Sequence, residues 1–298
     1  MKKFYILSIS FLACCFYTNA QEKSIISENA KLQLVSDEFE FTEGPAADSQ
    51  GNVYFTDQPN NQILKWDAGT GKISVFLENA KRANGLFVDD KGNILACADE
   101  NFQLIKISPN KEIEALVSNV EEGNLNGPND LWVDKEGGIY FTDPYYQREY
   151  WEREQPDLQG QYVYYLAPSE KKPVVVAKDL KKPNGIIGTA NGEKLYIADI
   201  GDDKTYSYSI SAEGTLKDKT LFAEQGSDRM TIDNEGNVYL TGNGVTVYNN
   251  NGEIIKHIPV DENWTANVTF GGKDFKTLFI TAMDAVYILK MNVHGTRW

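Results

Sequence analysis

Six side chains with an oxygen donor recur at equivalent positions along the chain and could together bind a cation. They begin six similar segments and are Glu43, Asn84, Asn129, Asn184, Asp228 and Asn267. A set without histidine or cysteine favours a hard ion, with Ca²⁺ first, Mg²⁺ or Mn²⁺ next and Zn²⁺ less favoured. Two carboxylates in one narrow site repel each other unless a proton or a cation lies between them. Glu43 and Asp228 would balance the charge of a divalent ion.

The alternative interpretation is that these residues only form turns. Asn84-Gly85 and Asn184-Gly185 are dipeptides typical of hairpins. Turn chemistry does not require Glu43, however, and Asn129 is followed by Asp130 rather than glycine. The set of six oxygen-bearing residues as a whole therefore favours a metal site.

The segments that must position these side chains repeat at intervals of about 40 residues. Asp48–Asp57, Asp134–Asp143 and Asp233–Gly242 share an Asp-x-x-Gly element followed by an apolar run, and three looser copies begin near Asp89, Thr189 and Gly272. Short runs of Val, Ile, Tyr, Phe and Thr bounded by Gly, Asn and Asp predict strands, and Asp-x-x-Gly predicts a tight turn. Four antiparallel strands in each copy predict an all-β fold, a six-bladed β-propeller. Its innermost strands run the same way, so the six oxygens should form a ring at one mouth of the channel.

The last copy ends after about three strands, so the propeller needs a further strand to close. Lys31–Val35 has strand character and lies ahead of the first blade. We expect it to pair with the sixth blade and remove the exposed edges. The predicted organisation is a signal peptide at 1–20, a leader at 21–30 and one propeller domain at 31–298.

The N-terminus has the pattern of an export signal. Lys2 and Lys3 precede the apolar run Phe4–Tyr17, and Ala20 is the small residue expected before cleavage. The run is shorter than the ~20 residues that a membrane helix needs, so a periplasmic or secreted protein without a transmembrane segment is expected. Lipid attachment at Cys14 is less favoured, because Phe11–Ala13 matches a lipoprotein signal poorly.

Cleavage would leave Cys97 as the one cysteine, interpreted as a core residue of a strand. The formal net charge of -14 and the absence of a basic tract argue against nucleic acid as a partner. They suit small neutral or cationic ligands and divalent cations. We expect a monomer that acts on a small molecule.

The connection after Asp143 is longer than its counterparts and carries several aromatic and basic side chains. Residues 144–160 include Tyr145, Tyr146, Arg148 and Trp151. Long loops are often lids, aromatic faces pack against sugars, and arginines bind hydroxyls or carboxylates. Tyr145 and Arg148 are therefore candidate substrate-binding residues. The alternative is a surface loop whose aromatic residues fold back on the blade.

Five motifs, in order between Glu38 and Met291, resemble those of the regucalcin and gluconolactonase family of six-bladed propellers. They are Glu43-Gly44-Pro45, Leu125–Asp130, Tyr140–Pro144, Pro183-Asn184-Gly185 and Leu195–Asp199. The resemblance implies a metal-dependent lactonase with metal ligands at Glu43, Asn129, Asn184 and Asp228. It also implies that Asp228 is the acid–base residue and that Asn129 contacts substrate; Asn84 is a further candidate for substrate binding. Arg229, Ala47 and Asp99 depart from the family's usual residues and leave the substrate open.

The predicted reaction is hydrolysis of a sugar lactone, in which a divalent ion polarises the carbonyl and Asp228 activates water. Direct attack by Asp228, giving an acyl-enzyme, is the alternative mechanism. Fold alone does not exclude a non-catalytic propeller that binds a sugar or a protein and uses calcium for structure. Phosphotriester hydrolysis and another sugar transformation also remain open.

Overall fold

The computed structural model describes residues 24–121 and 123–296. The predicted signal peptide, with Cys14, lies outside this range. The first strand along the chain is β1 (Gln33–Ser36). Blade 1 contains β2 (Thr42–Ala47), β3 (Val53–Asp57), β4 (Gln62–Trp66) and β5 (Ile73–Glu78). Blade 2 contains β6 (Ala83–Val88), β7 (Ile94–Ala98), β8 (Gln103–Ile107) and β9 (Ile113–Val117).

The remaining blades repeat this order. Blade 3 contains β10 (Leu131–Val133), β11 (Ile139–Asp143), β12 (Tyr162–Leu166) and β13 (Val174–Ala177). Blade 4 contains β14 (Pro183–Gly188), β15 (Lys194–Asp199), β16 (Lys204–Ile210) and β17 (Leu216–Ala223). Blade 5 contains β18 (Met230–Ile232), β19 (Val238–Gly242), β20 (Gly244–Tyr248) and β21 (Ile254–Ile258). Blade 6 contains β22 (Thr265–Gly271), β23 (Thr277–Ala282) and β24 (Ala285–Lys290).

Each blade is a four-stranded antiparallel sheet, which confirms the predicted six-bladed propeller. The ring closes as expected, because β1 pairs with β24 and becomes the outer strand of blade 6. The part of the predicted leader that the structure describes also contacts this blade. Ile25 is buried in its core, and the Ser27 amide donates to the Lys290 carbonyl at 3.1 Å.

The core lies between neighbouring blades. One cluster joins Trp132 and Tyr140 of blade 3 to Ile186, Leu195 and Ile197 of blade 4. The second strands are the most deeply buried, and every residue of β7, β11 and β19 is buried, whereas β21 at the outer edge is mostly exposed. Such continuous apolar runs suit strands covered on both faces.

The repeated Asp-x-x-Gly element forms the turn that the sequence predicts. The Asp48 carboxylate accepts the backbone N–H groups of Gln50 at 2.8 Å and Asn52 at 3.0 Å. Gly51 has a positive φ of 82°, a conformation that glycine adopts readily. Cys97 is buried in β7, as predicted. Within the described ranges, no helix is long and apolar enough to cross a membrane.

Candidate metal centre

Backbone irregularities lie beside the ring residue in four of the six innermost strands. Four of these strands shift register there, between Glu43 and Ala46, Ala83 and Leu86, Pro183 and Ile186, and Thr265 and Asn267. In blades 3 and 5, Asn129 and Asp228 come just before β10 and β18. A bulge of this kind bends a strand and re-aims its side chain.

The hairpin interpretation of the Asn-Gly dipeptides is wrong, because Asn84 lies inside β6 and Asn184 inside β14. The glycines are needed for another reason: neighbouring strands approach each other closely. A Cβ on Gly185 would lie 2.8 Å from the Arg229 Cα, which is too close for two carbon atoms. Locally the dipeptide is typical of a turn, but the packing of adjacent blades determines its conformation.

Side-chain contacts link neighbouring ring residues in two pairs. The Asn184 Nδ2 group donates to Asp228 Oδ1 at 2.8 Å, and the Asn267 Nδ2 group donates to Glu43 Oε2 at 2.8 Å. Glu43 and Asp228 are close enough for their charges to interact, since the charge of Asp228 helps to raise the pKa of Glu43. The ring therefore brings both carboxylates and two of the amides together.

Without a cation, this ring disfavours two negative charges. Burial is the main reason that the pKa of Glu43 rises from 4.5 to about 8, and the charge of Asp228 adds to it. Burial also raises the pKa of Asp228, although hydrogen bonds from Trp264 and Asn184 oppose that shift. A divalent ion between the two carboxylates would remove the electrostatic cost.

The amide oxygens provide the rest of a suitable donor set. The Asn184 Oδ1 atom is buried and has no hydrogen-bond partner among the described residues. Asn84 and Asn129 are also buried. The described part of the chain contains no group of three or more His, Cys, Asp or Glu placed to hold a metal, so the asparagines would have to contribute ligands. An unpartnered amide oxygen on a side chain that also binds the Asp228 carboxylate fits a hard, oxygen-seeking ion such as Ca²⁺.

Two residues outside the predicted set also reach the ring. The Trp264 indole N–H donates to Asp228 Oδ2 at 2.8 Å, and the Tyr146 hydroxyl accepts from Asn184 Nδ2 at 3.0 Å. Tyr146 could be suspected from its place in the long loop. Trp264 precedes β22 outside the repeated pattern, and the sequence carries no signal for it.

The long loop 144–160 contacts both the ring and blade 2. Buried Asp99 accepts Arg148 Nε at 2.9 Å and the Tyr150 hydroxyl at 2.5 Å, and its backbone carbonyl accepts the Trp151 indole N–H at 2.9 Å. Trp151 is itself buried, and its ring lies 4.9 Å from that of Phe102. The loop is therefore fastened to blade 2 on one side, while Tyr146 reaches the ring on the other.

The two loop residues predicted to bind substrate have protein partners of their own. The guanidinium of Arg148 is paired with Asp99. The Tyr145 backbone N–H donates to Gln161 Oε1 at 2.7 Å, and its ring lies 5.9 Å from that of Trp151. Tyr146, between them in sequence, is the loop residue that contacts a ring side chain.

The fold and site define a class of six-bladed propellers with a ring of oxygen donors at one mouth of the channel. The chain belongs to the SMP-30/Gluconolactonase/LRE-like family, whose sequence model matches residues 41–284.

Two relatives illustrate this membership, and a further structure shares the fold. The chain is 26% identical to a gluconolactonase of Zymomonas mobilis over 303 aligned positions, which cover 91% of this chain and 84% of that protein. A gluconolactonase structure from Xanthomonas campestris has a TM-score of 0.83 and 26% identity, covering 90% of this chain and 91% of that one. The calcium-binding regucalcin from Agrobacterium tumefaciens shares the fold, with a TM-score of 0.75 and 18% identity over 90% of this chain and 96% of that one.

Proposed function

We propose that this protein hydrolyses a sugar lactone and that the ring holds one divalent ion, with Ca²⁺ the best fit. The observation that carries the metal assignment is the position of Asn184. Its oxygen is buried without a partner, while its nitrogen binds Asp228, one of the two interacting carboxylates. The lactone assignment is supported by the gluconolactonases of Zymomonas mobilis and Xanthomonas campestris, which match most of this chain.

Glu43, Asn129, Asn184 and Asp228 would hold the ion. When bound, the ion would polarise the lactone carbonyl as a Lewis acid. Asp228 is oriented for a separate task, because Asn184 fixes one of its oxygens and Trp264 the other. It would accept a proton from water as the water oxygen bonds to the carbonyl carbon. It would then return the proton to the leaving ester oxygen of the lactone as the C–O bond between that oxygen and the carbonyl carbon breaks.

The surroundings of the ring suit a polyhydroxylated substrate. The amides of Asn84 and Asn129 can donate to and accept from hydroxyls, and the aromatic ring of Tyr146 offers a face for sugar C–H groups. Arg148 donates to Asp99 through Nε and its charge also acts on Asp228, so it stays a candidate substrate contact. The Tyr145 hydroxyl donates to Gln147 and would have to exchange that partner for a substrate group.

The test is a substrate panel on the purified protein with and without chelator. Aldonolactones should be hydrolysed, activity should fall with chelator and return with Ca²⁺, and aryl esters and paraoxon should be poorer substrates. Asp228→Asn should lower kcat by about 10²–10⁴-fold, the usual contribution of a general base. Asp218→Asn, on the exposed outer strand of blade 4, is the matched control.

Near-native activity in Asp228→Asn would refute the assigned role, and turnover of paraoxon alone would indicate phosphotriester chemistry. A protein that binds Ca²⁺ but hydrolyses nothing on the panel would be a binding propeller. A single turnover in heavy-oxygen water decides the mechanism: attack by water puts the label in the product, whereas attack by Asp228 puts it in the protein.

We also propose that the protein is exported. The support is the charged, apolar and small-residue pattern over 1–20. Protein recovered from the periplasm or medium should begin at Gln21, and an intact N-terminus at Met1 would contradict cleavage.

A further inference from the structure

A buried ion pair crosses the channel beneath the ring. The Arg229 guanidinium contacts the Asp130 carboxylate, with 8% and 1% of the two side chains exposed. Arg229 directly follows Asp228 in sequence, and Asp130 directly follows Asn129. The pair therefore joins the backbone next to one ring residue of blade 5 to the backbone next to one ring residue of blade 3.

Further hydrogen bonds extend this connection to two more blades. The second guanidinium nitrogen of Arg229 donates to the Leu86 carbonyl of blade 2 at 2.8 Å. The second carboxylate oxygen of Asp130 accepts the Ile186 N–H of blade 4 at 2.9 Å. Leu86 and Ile186 each lie two residues after the ring asparagine of their own strand. One ion pair thus contacts four consecutive blades at the same level.

Arg229 also borders a cavity of the channel. The cavity has a volume of about 320 Å³ and is lined by residues that include Leu86, Trp132, Phe270 and Arg229. None of the six ring residues lines this cavity. Arg229 therefore lies between the cavity that its side chain borders and the ring residue Asp228 that precedes it in sequence.

The geometry points to the Arg229–Asp130 pair as the positioning device of the ring. A planar guanidinium with several fixed donors specifies both distance and direction, unlike an apolar contact. By holding the backbone next to Asp228 and Asn129, the pair would fix the spacing of the oxygen donors across the channel. This inference rests on the proposed function, because donor spacing matters for holding the ion.

The competing account is that the pair only fills the channel. Stability and positioning can be measured separately, because replacing a buried ion pair by uncharged groups of similar size is often neutral for stability. Residues that orient metal ligands, in contrast, typically affect metal affinity by about 10–100-fold.

The experiment compares the wild-type chain with the double variant Arg229→Met/Asp130→Asn. The introduced amide oxygen can still accept the Ile186 N–H, whereas the Leu131 N–H and the Leu86 carbonyl lose their side-chain partners. CaCl₂ is titrated calorimetrically into chelator-treated protein, and melting temperatures are recorded. We expect a lower melting temperature, because two buried hydrogen bonds are lost, but a folded protein whose Kd for Ca²⁺ is weakened about 10–100-fold. Glu114→Gln, which removes an ion pair with Lys106 on the outer part of blade 2, should leave the Kd unchanged. A wild-type Kd in the double variant would overturn the inference.

Two additions keep the test decisive. If the double variant does not fold, Arg229→Lys retains the charge but cannot contact both Asp130 and the Leu86 carbonyl. A several-fold weaker Kd for Ca²⁺ in Arg229→Lys supports positioning, and a wild-type Kd refutes it.

If the wild type binds no Ca²⁺, the proposed metal function fails by itself. Positioning of the ring is then tested by the NMR chemical shift of the Trp264 indole N–H. This shift should change in Arg229→Met/Asp130→Asn and stay the same in Glu114→Gln. An unchanged resonance would refute it.

Discussion

Glu43→Gln should stabilise the metal-free protein and reduce the rise in melting temperature that Ca²⁺ causes. Glu43 is 4% exposed and interacts with the charge of Asp228. A glutamine has nearly the same shape, and its amide oxygen can still accept the Asn267 Nδ2 group that now donates to Glu43 at 2.8 Å. The substitution therefore removes a buried titratable group while it keeps the hydrogen bond.

The size of the effect follows from the raised pKa. Folding moves the pKa of Glu43 from 4.5 to about 8, so the metal-free folded protein must hold a proton that the unfolded chain has released at pH 7. Each pKa unit corresponds to about 1.4 kcal/mol, so Glu43 costs about 3 kcal/mol of unfolding free energy at pH 7. Because the folded pKa is the higher one, the cost is absent below pH 4.5, grows with pH and levels off above pH 8.

The assay is thermal unfolding of wild type, Glu43→Gln and the exposed control Glu114→Gln, each in chelator and in Ca²⁺. In chelator at pH 7, Glu43→Gln should melt about 6 °C higher than wild type, and the gain should vanish near pH 4.5. Added Ca²⁺ should raise the melting temperature of wild type and of the control more than that of Glu43→Gln. A Glu43→Gln protein that is less stable in chelator, or that gains as much from Ca²⁺ as wild type, would refute the reasoning.

Three further predictions concern the surroundings of the ring. Trp264→Phe removes one hydrogen-bond donor to Asp228, so in steady-state assays of a lactone kcat should fall about tenfold while KM changes by less than about twofold. An unchanged kcat would show that the indole does not orient the carboxylate. Asp99→Asn weakens the attachment of the loop 144–160 and should raise KM several-fold with little change in kcat; equal KM values would favour the surface-loop interpretation. Burial raises the pKa of Asp130 to about 6 and of Asp143 to about 7, so urea unfolding in chelator should show lower stability at pH 8 than at pH 5, and a rise with pH would contradict these shifts.

The fold could be predicted because the signal is repeated. The Asp-x-x-Gly turn and the following apolar run recur in four blades, and the looser copies at Thr189 and Gly272 are supported by their stronger neighbours. The closing strand was predictable for the same reason, since the last copy lacks one strand and Lys31–Val35 has the right character. The observed strand, Gln33–Ser36, differs only at its ends.

The residues around the ring could be predicted only where they occupy a repeated position in the sequence. The six oxygen donors share one position in the repeat, so alignment of the copies finds them. Tyr146 and Trp264 lie in connections between strands, where no period fixes the path of the chain. Tyr146 contacts a ring side chain directly, whereas Arg148 pairs with Asp99 of another blade and acts on Asp228 through its charge.

The Arg229–Asp130 pair shows the same limit for the channel. Both residues are adjacent to ring positions, but the sequence does not reveal that Arg229 of blade 5 contacts Asp130 of blade 3. Their contact follows from the close approach of inner strands beside glycines such as Gly85 and Gly185, which only the assembled ring brings about.

The central claim is that the ring binds one divalent ion, and anomalous scattering from crystals soaked in Mn²⁺ or Ca²⁺ tests it most directly. The account predicts one strong peak in the channel, bounded by oxygens of Glu43, Asn129, Asn184 and Asp228, at about 2.3–2.6 Å for Ca²⁺. Soaked crystals whose peaks lie elsewhere, with Glu43 and Asp228 bridged only by water or a proton, would contradict it.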